Sequence, residues 1–278
     1  MDLIEQLAAG EPPWRHHLVR QGRLERGEAG SLRLVTEGAT ADAYSDAQID
    51  DYGWPVGQPL LRRRPLRPGA LLGAGPGAPL TRRPPLRLRV RARFSHEAGA
   101  LRGTAGFGFW NYPVALPLGM PRAIWFFYGS PPLDMPLAMS VPGHGFKAAT
   151  VDTGRPRALA LAPLAPILVP LMRVPALYRG LWPPIQRAVG VAEALVRAPM
   201  AGWHDYVIEW GPRTSRFLVD GRVVLDEAPS PRGPMCFVAW IDNQYFVATP
   251  WGRFRWGTVA ARGRQWLELA ELVVAPMR

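Results

Sequence analysis

Asp50, His144 and Asp242 are the side chains whose chemistry and setting best suit proton transfer. Asp50 stands between Tyr44 and Tyr52, and Asp242 follows Trp240 by two positions. Each carboxylate therefore sits where desolvation beside aromatic walls can lift its pKa toward neutrality. His144 lies between Gly143 and Gly145, on a backbone free to bring an imidazole to a ligand as acid or base. The competing readings are a turn or rim carboxylate for Asp50 and a loop histidine without a role for His144. The ligand-binding candidates are Trp110, Trp125, Phe127, Tyr128, Trp240 and Asn243. Aromatic walls stack sugar rings or enclose an apolar molecule, and Asp242 with Asn243 can bond hydroxyls or polarise a carbonyl or alkene.

Other chemistries find little support. His16 and His17 are adjacent, project differently and have no third ligand nearby, and Cys236 is a lone cysteine inside an apolar run. A surface histidine pair and a buried, inert thiol are the readings that follow. No Walker loop, Gly-x-Ser-x-Gly elbow, Cys-x-x-Cys pair or His-Glu-x-x-His helix occurs, so neither a metal nor a cofactor is expected.

The elements that must position these residues are strands. Across 203–210, Trp203, Asp205, Val207 and Glu209 alternate with His204, Tyr206, Ile208 and Trp210, which is period two rather than 3.6. Residues 214–224 and 235–243 continue the pattern, with Asp220-Gly221 as a hairpin signal, so 202–256 reads as three consecutive strands of an antiparallel meander. Residues 31–52 read as a first strand pair ending in Asp50 and Asp51, which point to opposite faces of an extended chain. Across 86–94 the arginines share one face and the apolar residues the other, as a half-buried strand requires. In 122–130, Trp125 and Phe127 share one face while Ile124, Phe126 and Tyr128 share the other. The last strand, 265–274, is expected to return to the sheet near the N-terminal strand.

The succession Trp203-His204-Asp205-Tyr206-Val207-Ile208-Glu209-Trp210, Phe217-Leu218-Val219-Asp220-Gly221 and the run from Met235 to Asn243 resembles the C-terminal half of a concanavalin A-like lectin/glucanase domain. It is most similar to the family 16 glycoside hydrolases, over residues 84–150 and 202–275. The resemblance implies an all-β fold, a two-sheet antiparallel jelly-roll sandwich, with Trp110 on the cleft floor and 122–130 at the position of the catalytic strand. In that family a Glu-x-Asp-x-Glu strand supplies nucleophile, helper and acid/base on one face. Here no carboxylate occurs anywhere from 99 to 133, whereas retaining hydrolysis needs two carboxyls about 5–5.5 Å apart. Family 16 glucanase activity is not expected.

A chain of 278 residues, 48% hydrophobic with 11 Trp, suits one large, decorated domain over 1–278. Its decorations are an N-terminal helical extension (1–25), a long Pro/Gly/Arg loop (53–85) and a helical apolar insertion (155–200). The formal charge of +11 comes from arginine, Lys147 being the only lysine. The arginines lack interleaved aromatic platforms or a groove-reading helix, so no nucleic-acid partner is expected. Residues 158–172 are uncharged and broken by Pro163, Pro166 and Pro170, too short and interrupted for a bilayer span. They suit a lid over the aromatic cleft, a packed cap or a membrane-surface contact. The N-terminus lacks the basic start and apolar core of a secretory signal, so a cytoplasmic location is expected. The functional expectation is binding, and acid/base transformation, of an apolar or partly apolar small molecule. The alternatives are a carbohydrate-binding protein or divergent glycoside hydrolase, and a membrane-surface protein.

Overall fold

The computed structural model describes residues 3–10, 13–52, 81–111 and 120–277. The first half of the chain comprises α1 (Leu3–Ala9), β1 (Arg15–Val19), β2 (Gly22–Arg26), β3 (Leu32–Ala39), β4 (Asp46–Asp50), β5 (Leu86–Phe94), β6 (Thr104–Trp110), β7 (Arg122–Gly129) and β8 (Gly145–Asp152). Three short helices follow, α2 (Pro156–Leu161), α3 (Ala165–Leu171) and α4 (Pro175–Ala188). The remainder is β9 (Ala192–Leu195), β10 (His204–Trp210), β11 (Thr214–Val219), β12 (Arg222–Pro229), β13 (Cys236–Asp242), β14 (Gln244–Ala248), β15 (Phe254–Thr258) and β16 (Ala261–Pro276).

Two antiparallel seven-stranded sheets face each other, ordered β1-β4-β13-β6-β7-β8-β9 and β12-β11-β10-β5-β16-β3-β2, with β14 and β15 as a separate ribbon. This is an all-β jelly-roll sandwich, as the strand periodicity and the resemblance imply. Alternation sorts each strand: β5 buries Leu86, Leu88, Val90, Ala92 and Phe94 and turns its arginines outward. Between the sheets Phe126 meets Tyr206 at 5.0 Å and Phe217 at 5.3 Å between ring centroids, and Phe107 meets Tyr206 at 5.2 Å. Such tilted and edge-on aromatic pairs add about 0.5–1.5 kcal/mol each beyond their buried area.

Several expectations are corrected. Among the described residues of 1–25 only α1 is helical; β1 and β2 follow, β1 because His16 and Leu18 alternate with Arg15, His17 and Val19 and the strand pairs with β4. Residues 31–52 do not form a strand pair, since β3 and β4 belong to opposite sheets. The meander is β10-β11-β12, and β13 crosses to the first sheet, its fully buried sequence fitting a central strand. Within 155–200, proline sits at or near the start of each helix and inside α3 and α4, which keeps the helices short. Residues 192–195 are strand β9, paired with β8. The part of the Pro/Gly/Arg loop from 53 to 80 lies outside the described residues.

The arginine face of β5 is the outer face of the second sheet, laced to neighbouring strands. Arg93 Nε donates to Glu268 at 2.8 Å and its guanidinium lies 4.6 Å from the Trp203 ring, while Arg89 lies 3.5 Å from both Asp205 and Glu271.

Replacing Phe126 with Ala should lower the unfolding free energy by about 3–5 kcal/mol in urea titrations, the cost of a large cavity in a packed core. Trp125→Ala, one position along on the other face, should cost much less.

Candidate functional site

The outward face of the first sheet carries a second, separate cluster of Tyr52, Phe127, Leu133, Cys236, Val238 and Trp240, with Trp110, Trp125, Met135 and Tyr245 packed against it. Register explains the assembly. One cross-strand row runs Arg15, Asp50, Val238, Gly108, Trp125, Ala149, Glu193, and the next His17, Gln48, Trp240, Gly106, Phe127, Lys147, Leu195. Trp125 stacks on Phe127 at 5.5 Å and 25° and meets Trp110 at 5.7 Å and Trp240 at 5.4 Å. Glycine on β6 makes room for the β7 backbone and for the Trp240 indole. A Cβ on Gly106 would lie 3.0 Å from the Trp240 ring and 2.3 Å from the Phe126 carbonyl oxygen, and one on Gly108 would lie 2.6 Å from Trp125. Trp110 and Trp125 stay half-buried while Phe127 and Trp240 are covered.

Polar groups flank the rings on the β4 side. Trp240 Nε1 donates to Thr104 Oγ1 at 2.9 Å, and that hydroxyl donates to Asp242 Oδ1 at 2.7 Å. The Thr104 and Gln244 amides also donate to Asp242 Oδ1, at 3.3 and 3.0 Å. Asp242 thus positions Trp240. Its cross-strand neighbour is Asp46, also fully buried, and the Tyr44 side chain interacts with both carboxyls. Burial, opposed by the hydrogen bonds from Thr104 and Gln244, lifts Asp242 to about 6. Burial first and the Asp242 charge second raise Asp46 well above the usual carboxylate range. Asp50 accepts from Gln48 Nε2 at 2.8 Å and the Tyr52 amide at 3.0 Å and lies 3.4 Å from Arg15 Nε. Burial raises its pKa against these partners.

On the opposite flank Lys147 Nζ donates to Glu193 Oε2 at 3.0 Å and to the Met135 carbonyl at 3.1 Å. Glu193 Oε1 accepts from the Leu137 and Ala138 amides at 2.9 and 2.8 Å. Trp182 of α4 donates to the Leu137 carbonyl at 3.0 Å, so this pair fastens the loop before β8, and through it the insertion, to the sheet.

Asp242, Asp50, Trp110, Trp125, Phe127 and Trp240 share this face. Three candidates do not belong to it. Tyr128 alternates into the core, its hydroxyl donating to the Leu101 carbonyl at 2.8 Å. Asn243 is fully buried and ties loops, its Nδ2 donating to the carbonyls of Thr40, Ala43 and Val259 and its Oδ1 accepting from the Ser45 amide. His144 is exposed and borders a recess with Arg102 and Pro131, apart from the aromatic cluster. Sequence reasoning missed Asp46, Gln48, Arg15 and the Lys147–Glu193 pair. The alternation of Asp46, Gln48 and Asp50 with Ala47 and Ile49 was the signal for the first two; nothing local announces the long-range pair. Cys236 is buried in the cluster, and burial pushes its thiol pKa up, with the Asp51 charge adding to it.

No protein-family model and no curated protein matches the sequence. Solved structures of similar shape include a β-glucanase of Bacillus licheniformis (TM-score 0.48, 9% identity, covering 95% of this chain and 92% of that one). Another is an immunostimulatory antigen and pseudo β-1,3-glucanase of Mycobacterium tuberculosis (0.48, 11%, 96% and 93%). A third is a GlcNAcα1-4Gal-releasing endo-β-galactosidase from Clostridium perfringens (0.47, 12%, 92%), of which this chain spans 57%. At these identities the likeness concerns the fold, and the reading of function rests on this chain's own side chains.

A carboxyl whose pKa is raised by folding stabilises the fold at low pH and loses that contribution as pH climbs through the folded value. Asp46→Asn removes one such group. Relative to the unaltered chain, its stability should therefore rise as pH climbs from the ordinary carboxylate range toward neutrality. Urea titrations across that range measure the difference, and a flat or falling one would mean that both carboxyls are ionised in the fold. Gly106→Ala should destabilise by about 1–3 kcal/mol through overpacking against β7 and Trp240, read in the same titrations.

Proposed function

We propose that the chain binds carbohydrate on the outward face of its first sheet, stacking sugar rings on Trp110 and Trp125. Arg15, whose side chain is partly exposed beside buried Asp50, offers a donor to the hydroxyls. The observation that carries this reading is that Trp110 and Trp125, on two central strands, keep part of their surface in solvent beside the covered rings of Tyr52, Phe127 and Trp240. Planar apolar faces beside fixed donors and acceptors suit pyranose rings, which present apolar C–H faces and polar rims.

Retaining hydrolysis through β7 does not accompany binding. The outward positions of that strand are Ala123, Trp125 and Phe127, and none can act as nucleophile or acid. The acid/base reading on an apolar small molecule is the weaker one, because it relied on His144 beside the rings and on the insertion closing over them. His144 lines a different recess, and the insertion turns Leu159, Leu164 and Ile167 to solvent.

Affinity electrophoresis and calorimetry with laminarin, lichenan and their oligosaccharides test the proposal. Binding is expected without release of reducing ends, and Trp125→Ala should weaken it about tenfold, the loss of one stacked ring. Absence of binding to every glycan tried, or an unaffected Trp125→Ala variant, would refute it. Binding of an apolar dye displaced by the same substitution, with glycans inert, would restore the small-molecule reading.

A further inference from the structure

The helical insertion leaves unusual apolar surface in water. Leu159, Leu164, Ile167, Leu171, Val174 and Leu177 are each between 41% and 63% exposed, although burying one such side chain is worth about as much as a tertiary hydrogen bond or more. Single exposed apolar residues are ordinary, but a run of them across α2, α3 and α4 marks an interaction surface. The β14–β15 hairpin extends it. Arg173 Nε donates to the Trp251 carbonyl at 3.4 Å, Tyr178 meets the Trp251 ring at 5.3 Å, and Gly252 lies against Val169. Beyond that turn Phe254 and Trp256 are 65% and 67% exposed, 5.4 Å apart ring to ring.

Charge decides what fits such a surface. From 153 to 192 the sequence contains no Asp or Glu, while it contains Arg155, Arg157, Arg173, Arg179 and Arg187, and Arg253 and Arg255 flank Phe254 in the hairpin. Arg157, Arg179 and Arg187 are exposed. An apolar protein patch without acidic groups would leave these arginines unmatched, whereas an anionic bilayer offers acyl chains for the leucines and phosphate for the guanidiniums. No helix among the described residues is long and apolar enough to cross a membrane, and proline-broken helices of 6 to 14 residues suit the plane of an interface. Exposed Trp and Phe are the side chains favoured at that depth.

We propose that α2–α4, with the tip of the β14–β15 hairpin, docks the protein on the surface of an anionic lipid bilayer.

Flotation of the full chain with phosphatidylcholine vesicles, with and without phosphatidylglycerol, tests this. The chain should float with the phosphatidylglycerol vesicles, more weakly with pure phosphatidylcholine, and be released by high salt. Arg157→Gln and Arg179→Gln should each lower partitioning roughly fivefold, and the double change Ile167→Asp with Leu171→Asp should abolish it at any salt. All four side chains are exposed, so circular dichroism should show the fold retained. Failure to float with either vesicle, or flotation indifferent to the aspartate variant, would overturn the proposal. It would equally be overturned if light scattering found the chain self-associated without lipid binding and the aspartate variant monomeric, which would assign the surface to a second copy.

Discussion

The aromatic contact between the two sheets is the constraint on which the rest depends. Phe126 touches Phe107, Phe146, Tyr206 and Phe217, and a strand with Phe126 inward has no choice about Trp125 and Phe127. A slip of one residue would exchange the faces and send a phenylalanine out and a tryptophan into a space already filled. The outward cluster is therefore a consequence of the inward one, and Gly106 and Gly108 on the adjoining strand let β6 lie close to β7, Gly106 also leaving space for the Trp240 ring.

Among the described residues, buried charge is met in two ways. Lys147 and Glu193 are nearly inaccessible, yet each of their charged atoms has a hydrogen-bond partner, so the desolvation of two ions is offset by close pairing. Burial pulls Lys147 down and Glu193 up, and the pair's own attraction opposes both shifts. Asp51 follows the same logic, its oxygens meeting Arg82 Nε at 2.7 Å and the Phe237 amide at 2.6 Å. Asp46 has no cation as close, His17 Nε2 lying 3.9 Å away, and burial raises the pKa of both Asp46 and Asp242. The two solutions flank one aromatic surface, which leaves it with an uncharged centre and polar borders.

What could be read from the sequence was what strand alternation and local spacing encode. The all-β class, the arginine face of β5, the split of β7 into Phe126 and Trp125 faces and the absence of carboxylates there all follow from period two. What could not be read was partnership over distance. That β3 and β4 go to different sheets, that β13 leaves the meander, and that Glu193 finds Lys147 46 positions away depend on chain closure, which no local window contains. Asn243 and Tyr128 were misassigned for a related reason. Their polar groups are consumed by backbone partners on loops remote in sequence, and an amide or hydroxyl that satisfies buried backbone looks, in one dimension, like one that awaits a ligand. His144 had flexibility and chemistry in its favour, but it sits at the start of β8 beside Arg102, Gly129 and Pro131 rather than beside the rings.

The most direct test of the central claim is a heteronuclear NMR titration of the indole N–H signals with a gluco-oligosaccharide. The tryptophans are spread over both sheets, so they report position as well as binding. Shifts at Trp110 and Trp125, with Trp203 and Trp266 on the second sheet unmoved, are the predicted result. Shifts confined to Trp203, Trp266 or the exposed Trp256, or none at saturating sugar, would contradict it.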